Sequence, residues 1–249
     1  MADRSASPGT ARPAFYALRG GGWRDFWTVL HPPYTIWHLS YVALGWAVSP
    51  ASHESRLAGA LAAFGLAVGI GAHALDERNG RPLRTKIPDQ VLVALAVVSI
   101  GLACAIGVYG AATISWWLLA FVAFGGFIVC AYNLEWFDGR FHTDLWFALS
   151  WGAFPAITAA FANAERLTIE AVFVAAGCFA LSAAQRTLST PARALRRSTR
   201  RVEGVIERTD GTIEQIDANR LRAAPEMALR WMSLAMPLIA VAVVIVRQR

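Results

Sequence analysis

Three side chains that bind cations or move protons stand together where an apolar stretch of the sequence ends. His73, Asp76 and Glu77 close the apolar residues 57–75 and open a charged segment. If a helix continues through them, the spacing i, i+3 and i+4 places all three on one helical face. Carboxylates suit Mg²⁺, and mixed imidazole and carboxylate sets suit transition metals. The stretch predicts a metal or phosphate site at a helix end.

Basic side chains follow at once. Arg78, Arg81, Arg84 and Lys86 lie in the next segment, which also contains Pro82. An arginine guanidinium binds phosphate oxygens through paired hydrogen bonds, and a lysine ammonium binds them as a point charge. This loop is therefore expected to hold an anion beside any bound cation.

Composition indicates the setting in which such a site would work. The chain has 249 residues, of which 56% are hydrophobic and only 16% charged, against roughly 25% charged in soluble domains. Its mean hydropathy is +0.42 and its net charge is +6. Basic loops beside membrane helices explain this charge better than nucleic-acid binding does. We predict an integral membrane protein with the lipid bilayer as its partner and no nucleic acid.

Seven apolar segments are each about long enough to cross a hydrocarbon core of ~30 Å. They lie near residues 34–50, 57–75, 91–110, 113–132, 145–163, 168–187 and 226–246. In lipid, every backbone polar group must bond within its own segment, which favours helices. We predict an all-α membrane protein of about seven transmembrane helices, with a core over residues 31–191 and a last spanning helix in 225–249.

The two remaining parts of the chain differ from this core. Residues 1–30 contain no compact apolar run with a cleavage site, so we expect no signal peptide but a partly disordered or interfacial cytoplasmic arm. Residues 192–224 alternate in charge and contain Asp210-Gly211, a natural turn. Apolar residues at near-helical spacing predict a cytoplasmic helical hairpin there. A solvated linker on the membrane surface is the alternative.

Basic residues also orient the bundle. With the N-terminus in the cytoplasm, most arginines and Lys86 fall on the cytoplasmic side. The other side holds only Arg56, Arg166, Arg247 and Arg249. Cytoplasmic loops carry the excess of Lys and Arg, so we predict an inner (plasma) membrane protein with its C-terminus outside. Cys104, Cys130 and Cys178 all fall in apolar segments without Cys-x-x-Cys spacing, and we expect buried, unreactive thiols.

In this orientation the polar residues at helix ends fall into one cytoplasmic layer. Ionisable groups at membrane depth are costly, so such a layer indicates a functional site, whereas anchoring at the headgroup level is the alternative. The layer contains His31, His38, His73, Asp76, Glu77, Tyr132, Asn133, Glu135, His142, Asp144, Gln185 and Arg186.

Residues 72–88 resemble a motif of the UbiA-type intramembrane prenyltransferases. In that family the second helix runs into Asn-x-x-x-Asp-x-x-x-Asp, followed by Arg-Pro-Leu/Ile-x-Ser/Thr. Here Arg81-Pro82-Leu83-Arg84-Thr85 matches the second part. When the first part is aligned on Asp76, the leading Asn is Ala72 and the last Asp is Gly80, so Glu77 and Asn79 are the available substitutes.

Other landmarks follow in the family's order. Residues 31–35 are similar to its Arg-Pro-x-Thr entry to the first helix, and residues 132–135, 142–144 and 151–155 are similar to its connection between the fourth and fifth helices. The family has a second Asp-rich motif at the end of the sixth helix. Residues 183–191 stand there in this chain and contain no carboxylate.

The resemblance implies a UbiA-like bundle that transfers or cyclises a prenyl group from a diphosphate, aided by Mg²⁺ at the cytoplasmic mouth. It implies Asp76, Glu77 and Asn79 as metal ligands. The implied catalytic residues are Asp76 and Glu77, with His73 as a base or positioning group and Glu135 deprotonating the acceptor. The implied diphosphate-binding residues are Arg81, Arg84, Lys86, Arg140 and Arg186.

Two other functions remain open on the sequence alone. An enzyme that acts on a lipid with iron, manganese or zinc would use a mixed ligand set from four helix ends. That set consists of His38, His73, Glu77, Glu135, His142 and Asp144. The second open function is non-catalytic: the protein would bind an isoprenoid, quinone or pigment, or would have a structural role.

Overall fold

A computed structural model describes residues 12–249, which form eight helices and one two-stranded hairpin. The helices are α1 (Trp23–Val29), α2 (Pro32–Val48), α3 (Glu54–Arg78), α4 (Asp89–Thr113), α5 (Leu118–Asn133), α6 (Asp144–Ala164), α7 (Ile169–Arg197) and α8 (Ala218–Arg247). The strands are β1 (Gly204–Glu207) and β2 (Ile213–Ile216). Residues 1–11 of the predicted N-terminal arm lie outside the described part of the chain.

Five of these helices, α3, α4, α6, α7 and α8, are long and apolar enough to cross a membrane. Each of the seven predicted segments overlaps one helix from α2 to α8. However, α2 has 17 residues and α5 has 16, so both are shorter than the ~20 residues that a span usually needs. The predicted helical class is confirmed, and five candidate membrane spans are established.

Helix α2 forms the centre of the bundle. Trp37, Tyr41 and Trp46 on it have no exposed surface, and the helix packs against α6 and α8. At Gly45 the approach to α6 is so close that a Cβ atom would lie 2.0 Å from the carbonyl oxygen of Ala156. Only glycine permits this contact, and it fixes how α2 and α6 cross.

Two helices contain π-helical segments, in which the backbone hydrogen bonds skip one more residue than in an α-helix. These are Gly65–Ala72 in α3 and Ala148–Ala153 in α6. The second directly precedes Pro155, which has no N–H to donate to the carbonyl of Trp151. Such segments re-aim the side chains that follow, and they are frequent at functional sites. Here they immediately precede His73 and contain Trp151.

The predicted helical hairpin over residues 192–224 is wrong. Helix α7 continues to Arg197, and β1 and β2 then pair antiparallel, with Val205 opposite Gln215 and Ile206 opposite Glu214. Branched residues favour strands, and the Asp210-Gly211 turn suits a tight β-hairpin as well as a helical one. The boundary expected at residue 225 also moves, because α8 begins at Ala218.

The described part of the N-terminal arm packs on the bundle. Ala14 and Ala17 are buried. Arg196 donates a hydrogen bond to the carbonyl of Arg12 at 3.1 Å, and Arg197 donates one to the carbonyl of Pro13 at 3.2 Å. This segment therefore lies across the C-terminal end of α7.

Candidate functional site

A cavity of about 340 Å³ opens at one end of the bundle, where α3, α5 and α7 end and α6 begins; we call this the cavity end. Its walls combine side chains from five helices with Tyr16 of the N-terminal segment. They include Tyr16, His31, Tyr34, His38, His73, Asp76, Asn79, Tyr132, Asn133, Glu135, His142, Phe147, Trp151, Gln185, Arg186, Ser189, Arg193 and Arg197. Most of the layer predicted from the sequence is thus brought together in one place.

Three arginines of α7 line this cavity. Arg186, Arg193 and Arg197 recur at i, i+7 and i+11, which places them on one helical face. Arg186 pairs with Asp144 at 2.7 Å, and its guanidinium lies 5.5 Å from the ring centroid of Phe147. Arg193 has no carboxylate within 4.0 Å among residues 12–249. The cavity therefore presents an arginine charge without an ion-pair partner.

Arg193 and Arg197 were absent from the predicted site. The helical-hairpin prediction began at residue 192 and so assigned them to a separate segment. Their spacing from Arg186 was the available signal, because it continues the face that α7 already presents. The face becomes visible only if the helix is extended through Pro191.

The neighbouring carboxylates of α3 have different surroundings. Asp76 lines the cavity. Glu77 is fully buried, and its two oxygens accept hydrogen bonds from the backbone N–H groups of Leu83 and Thr85, each at 2.8 Å, and from the Thr85 hydroxyl. Glu77 therefore shapes the loop over residues 79–88. The expectation that it is a metal ligand or catalytic group does not fit this geometry.

The expected metal-ligand sets also do not converge. Asn79 uses its amide to donate to the backbone carbonyl of Asn133 at 3.1 Å, and Asp144 is paired with Arg186. In residues 12–249, no three His, Cys, Asp or Glu side chains are placed to hold one ion. The residues present thus fit neither the magnesium set built on Asp76, Glu77 and Asn79 nor the histidine and carboxylate set.

Four of the five residues expected to bind diphosphate lie away from the cavity. Arg81 pairs with Asp89 and donates to the carbonyl of Ile87 at 2.6 Å, so it holds its own loop together. Arg84 donates to the carbonyl of Arg197 at 3.4 Å. Lys86 and Arg140 are also missing from the cavity wall, and only Arg186 belongs to it.

Two histidines stack inside the cavity. The rings of His31 and His73 lie 4.1 Å apart, and His73 donates through Nδ1 to the carbonyl of Gly69 at 3.2 Å. His31 adopts a left-handed backbone conformation with φ 46°, which directs the chain into α2. Burial lowers the pKa of His31 well below its usual value, and the neighbouring His73 and Arg197 lower it further. The His31 ring is therefore neutral at pH 7.

Two more predicted groups, Glu135 and His142, lie in the loop between α5 and α6. Glu135, with φ 52°, is exposed at the cavity rim, 4.0 Å from Nδ1 of His142. His142 donates through Nδ1 to the carbonyl of Tyr132 at 2.9 Å, and its ring stacks on that of Tyr132 with centroids 4.4 Å apart. The other ring nitrogen of His142, Nε2, takes no part in the hydrogen bond to Tyr132 and carries the lone pair of the neutral ring.

An apolar groove lies deeper along the same helices. It is lined by Phe64 and Ala67 of α3, by α5 from Leu118 to Val129, and by Phe154 of α6. A narrow crevice between them is lined by His38, which also lines the cavity, and by Phe64, which also lines the groove. A charged or polar cavity is thus followed by an apolar groove in the bundle. Comparison of this chain with protein-family models, with curated proteins and with solved structures gives no match.

Proposed function

We propose that this chain is an intramembrane enzyme of a UbiA-like type that acts on an isoprenoid diphosphate or a closely related phosphorylated lipid. The observation that carries the proposal is the order of two spaces, the polar cavity and the apolar groove, along α3, α5 and α6. The arginine-lined cavity comes at the helix ends, and the apolar groove lies deeper along the same helices. An amphiphile with an anionic head and a hydrocarbon tail matches this arrangement.

The head would bind to the arginine face of α7. Neither Arg193 nor Arg197 has a carboxylate partner within 4.0 Å in the described chain. Arg197 donates a hydrogen bond to the backbone carbonyl of Pro13. Paired N–H groups of a guanidinium match the geometry of two phosphate oxygens. Phosphate oxygens would therefore pair with Arg193 and Arg197 in the way that the Asp144 carboxylate pairs with Arg186.

The tail would occupy the groove. The ring of Phe154 lies 5.7 Å from that of Phe64 and 6.2 Å from that of Phe121, so an aromatic wall runs along the groove. Burying apolar surface there is favourable at roughly 25 cal/mol per Å². A tail of several isoprene units would contribute most of the affinity, whereas the arginines would select the head.

The chemistry follows from this placement. The bond between the first prenyl carbon and the diphosphate oxygen breaks, and its electron pair leaves with the diphosphate, whose charge the arginines stabilise. The prenyl carbon then takes an electron pair from an acceptor, or from a double bond of the same chain in a cyclisation. A proton lost from the acceptor or the cyclised chain goes to a base; Asp76 and Nε2 of His142 are available at the wall. The rings of Phe147 and Trp151 shield the intermediate cation.

No step is assigned to magnesium, because the donor set does not fit it. Of the three ligands expected from the sequence, Glu77 is fully engaged by the loop, so Asp76 is the one carboxylate of the set that lines the cavity. The positive charge that neutralises the diphosphate comes instead from Arg193 and Arg197, which line the cavity beside the pair of Arg186 and Asp144.

The proposal includes a membrane orientation. All seven helices from α2 to α8 would cross the bilayer, and the cavity end would face the cytoplasm of a plasma membrane. Support comes from the charge distribution, since Arg56, Arg166 and Arg247 are the few basic residues near the other end.

Binding of farnesyl diphosphate and of farnesol to the detergent-purified chain tests the proposal. We expect the diphosphate to bind more tightly, and Arg193→Gln to weaken it by about tenfold or more while leaving farnesol unchanged. Arg166→Gln, at an exposed loop position outside the cavity, is the matched control. Equal binding of the two probes, or equal effects of the two variants, would overturn the proposed head site. Mass spectrometry of the incubated lipid then separates an enzyme from a binding protein, because only an enzyme releases diphosphate.

A further inference from the structure

Three side chains in the cavity wall carry buried polar atoms without a hydrogen-bond partner within residues 12–249. One is Nε2 of His31, whose ring stacks on His73. The other two are Nδ1 of His38 and the hydroxyl oxygen of Tyr132, which lie in the most deeply buried side chains of the three. His38 is 4% exposed and Tyr132 is 5% exposed. Buried polar groups are nearly always hydrogen-bonded, so an unpartnered pair in one cavity indicates a missing ligand group.

The contacts of His38 define what that group must offer. Nε2 of His38 lies 3.1 Å from the side-chain oxygen of Gln185, which can only accept, so Nε2 carries the hydrogen. Nδ1 therefore holds a lone pair and needs a donor. The Tyr132 hydroxyl can donate or accept. A hydroxyl group suits each atom, since it can donate to His38 and can accept from Tyr132.

The surroundings of these two atoms select against charge. The ring of Phe147 lies 5.9 Å from that of His38 and 6.1 Å from that of Tyr132, so one aromatic side chain adjoins both. Trp151 lies 4.6 Å from Tyr132 and parallel to Phe147. Arg186, the cation nearest to Phe147, is already paired with Asp144. The side chains packed beside these two atoms are thus aromatic and bring no free charge, which suits an uncharged hydroxyl compound, whereas the charges of Arg193 and Asp76 belong to other parts of the cavity wall.

We propose that His38 and Tyr132 form a second subsite of the cavity, which binds the hydroxyl group of an uncharged molecule beside an aromatic wall. Gln185 is the positioning residue, because it fixes the tautomer of His38. That this molecule is the acceptor of a prenyl group rests on the proposed function. Its binding does not, since the subsite shares no ligand atom with the arginine face.

Two probes that differ in one hydrogen-bond donor test the subsite. Benzyl alcohol carries a hydroxyl, whereas benzyl methyl ether keeps the ring and the oxygen but cannot donate. We expect the purified chain to bind the alcohol about tenfold more tightly, as ligand-observed NMR would measure. Tyr132→Phe should weaken the alcohol by about tenfold and should weaken the ether too, because the oxygen of either probe accepts from the Tyr132 hydroxyl.

Thermal stability separates a binding role from a structural one. Tyr132→Phe removes a hydroxyl without a partner, so the melting temperature should stay the same or rise. Tyr41→Phe is the matched control: Tyr41 is fully buried, and its hydroxyl accepts from Trp37 Nε1 at 2.5 Å and contacts the Ser182 hydroxyl at 3.4 Å. We expect this control to lower the melting temperature and to preserve alcohol binding.

Three results would overturn the subsite: equal binding of the two probes, unchanged alcohol binding in Tyr132→Phe, or a loss of stability in Tyr132→Phe as large as in Tyr41→Phe. The proposed function fails separately. If farnesyl diphosphate does not bind but benzyl alcohol binds through Tyr132, the subsite stands and the phosphorylated lipid is wrong.

Discussion

At the scale of single residues, adjacent side chains of the same type have unlike roles. Asp76 and Glu77 are consecutive on α3, yet one faces the cavity and the other is buried under the loop that follows. Consecutive residues point about 100° apart around a helix, and here that difference directs Glu77 away from the cavity and under the loop. Only Asp76 is positioned to contact a ligand.

Isosteric substitutions distinguish these two carboxylates. Glu77→Gln replaces one accepting oxygen by an amide that faces a backbone N–H donor, so a buried donor loses its partner. We expect the free energy of unfolding to fall by about 2–4 kcal/mol. Asp76→Asn should change it by less than about 0.5 kcal/mol, since the Asp76 side chain makes no hydrogen bond to any of residues 12–249. Reversible unfolding in mixed micelles measures both, and similar losses would contradict the assignment.

Removal of metal tests how the diphosphate charge is neutralised. If the arginines of α7 provide the charge, excess EDTA should change the dissociation constant of farnesyl diphosphate by less than about threefold. The binding assay with and without chelator, repeated with added MgCl₂, measures this. Loss of binding in EDTA and recovery with Mg²⁺ would show that a bridging cation is required despite the engagement of Glu77.

Sequence reasoning located the site better than it assigned roles within it. His38, His73, Asp76, Glu135, His142 and Arg186 were predicted and do line the cavity. Charged residues at the ends of apolar segments must gather at the membrane faces, and this constraint is readable from sequence. The direction of Glu77 depends on helix register after a π-helical segment, and no local sequence pattern reveals that register.

At the scale of elements, close helix contacts set the position of the cavity wall. Helix α2 carries His38 at the cavity and Gly45 two turns further on, where it touches α6. Helix α6 carries Phe147 and Trp151 in the same wall. The crossing at Gly45 therefore determines how far His38 stands from Phe147.

An alanine at this crossing should be disruptive. In Gly45→Ala the new Cβ would lie 2.0 Å from the backbone oxygen of Ala156, so α2 and α6 must move apart. We expect a loss of about 1–3 kcal/mol in the free energy of unfolding and weaker ligand binding. Gly59→Ala on α3 is the control, because no atom lies within 4 Å of its added Cβ and alanine favours helix. Equal stability of the two variants would refute the steric role of Gly45.

The sequence predicted long elements well and the short ones poorly. Seven apolar lengths of nearly 20 residues have few alternatives to helices in lipid. The strands β1 and β2 have four residues each, and in so short a run the spacing of Val205, Ile206, Ile213 and Ile216 fits a helix or a strand. Tertiary pairing across Asp210-Gly211 decides between them.

At the scale of the whole molecule, arginines act differently at its two ends. Away from the cavity, Arg247 donates to the carbonyls of Ser49 and Ala51, and Arg56 donates to those of Ala162 and Asn163. These side chains close helix ends that would otherwise leave carbonyls unbonded. At the cavity end Arg193 lines open space instead, so the molecule has a closed end and an end with a cavity.

The proposed orientation follows from this asymmetry and can be tested with single cysteines. In a variant whose Cys104, Cys130 and Cys178 are replaced by serine, cysteines at two exposed loop positions, Asp210→Cys and Arg166→Cys, report the two ends separately. A membrane-impermeant maleimide added to intact cells should label Arg166→Cys and leave Asp210→Cys unlabelled until the cells are permeabilised, because basic loops stay in the cytoplasm.

The opposite labelling pattern would place the cavity outside the cell. The arginine face would then open away from the compartment in which prenyl diphosphates are made, and the proposed function would lose its supply of substrate. With the expected pattern, a lipid enters the groove from the bilayer while its phosphates reach Arg193 from the cytoplasm. The order of groove and cavity along α3, α5 and α6 then matches the order of tail and head in the membrane.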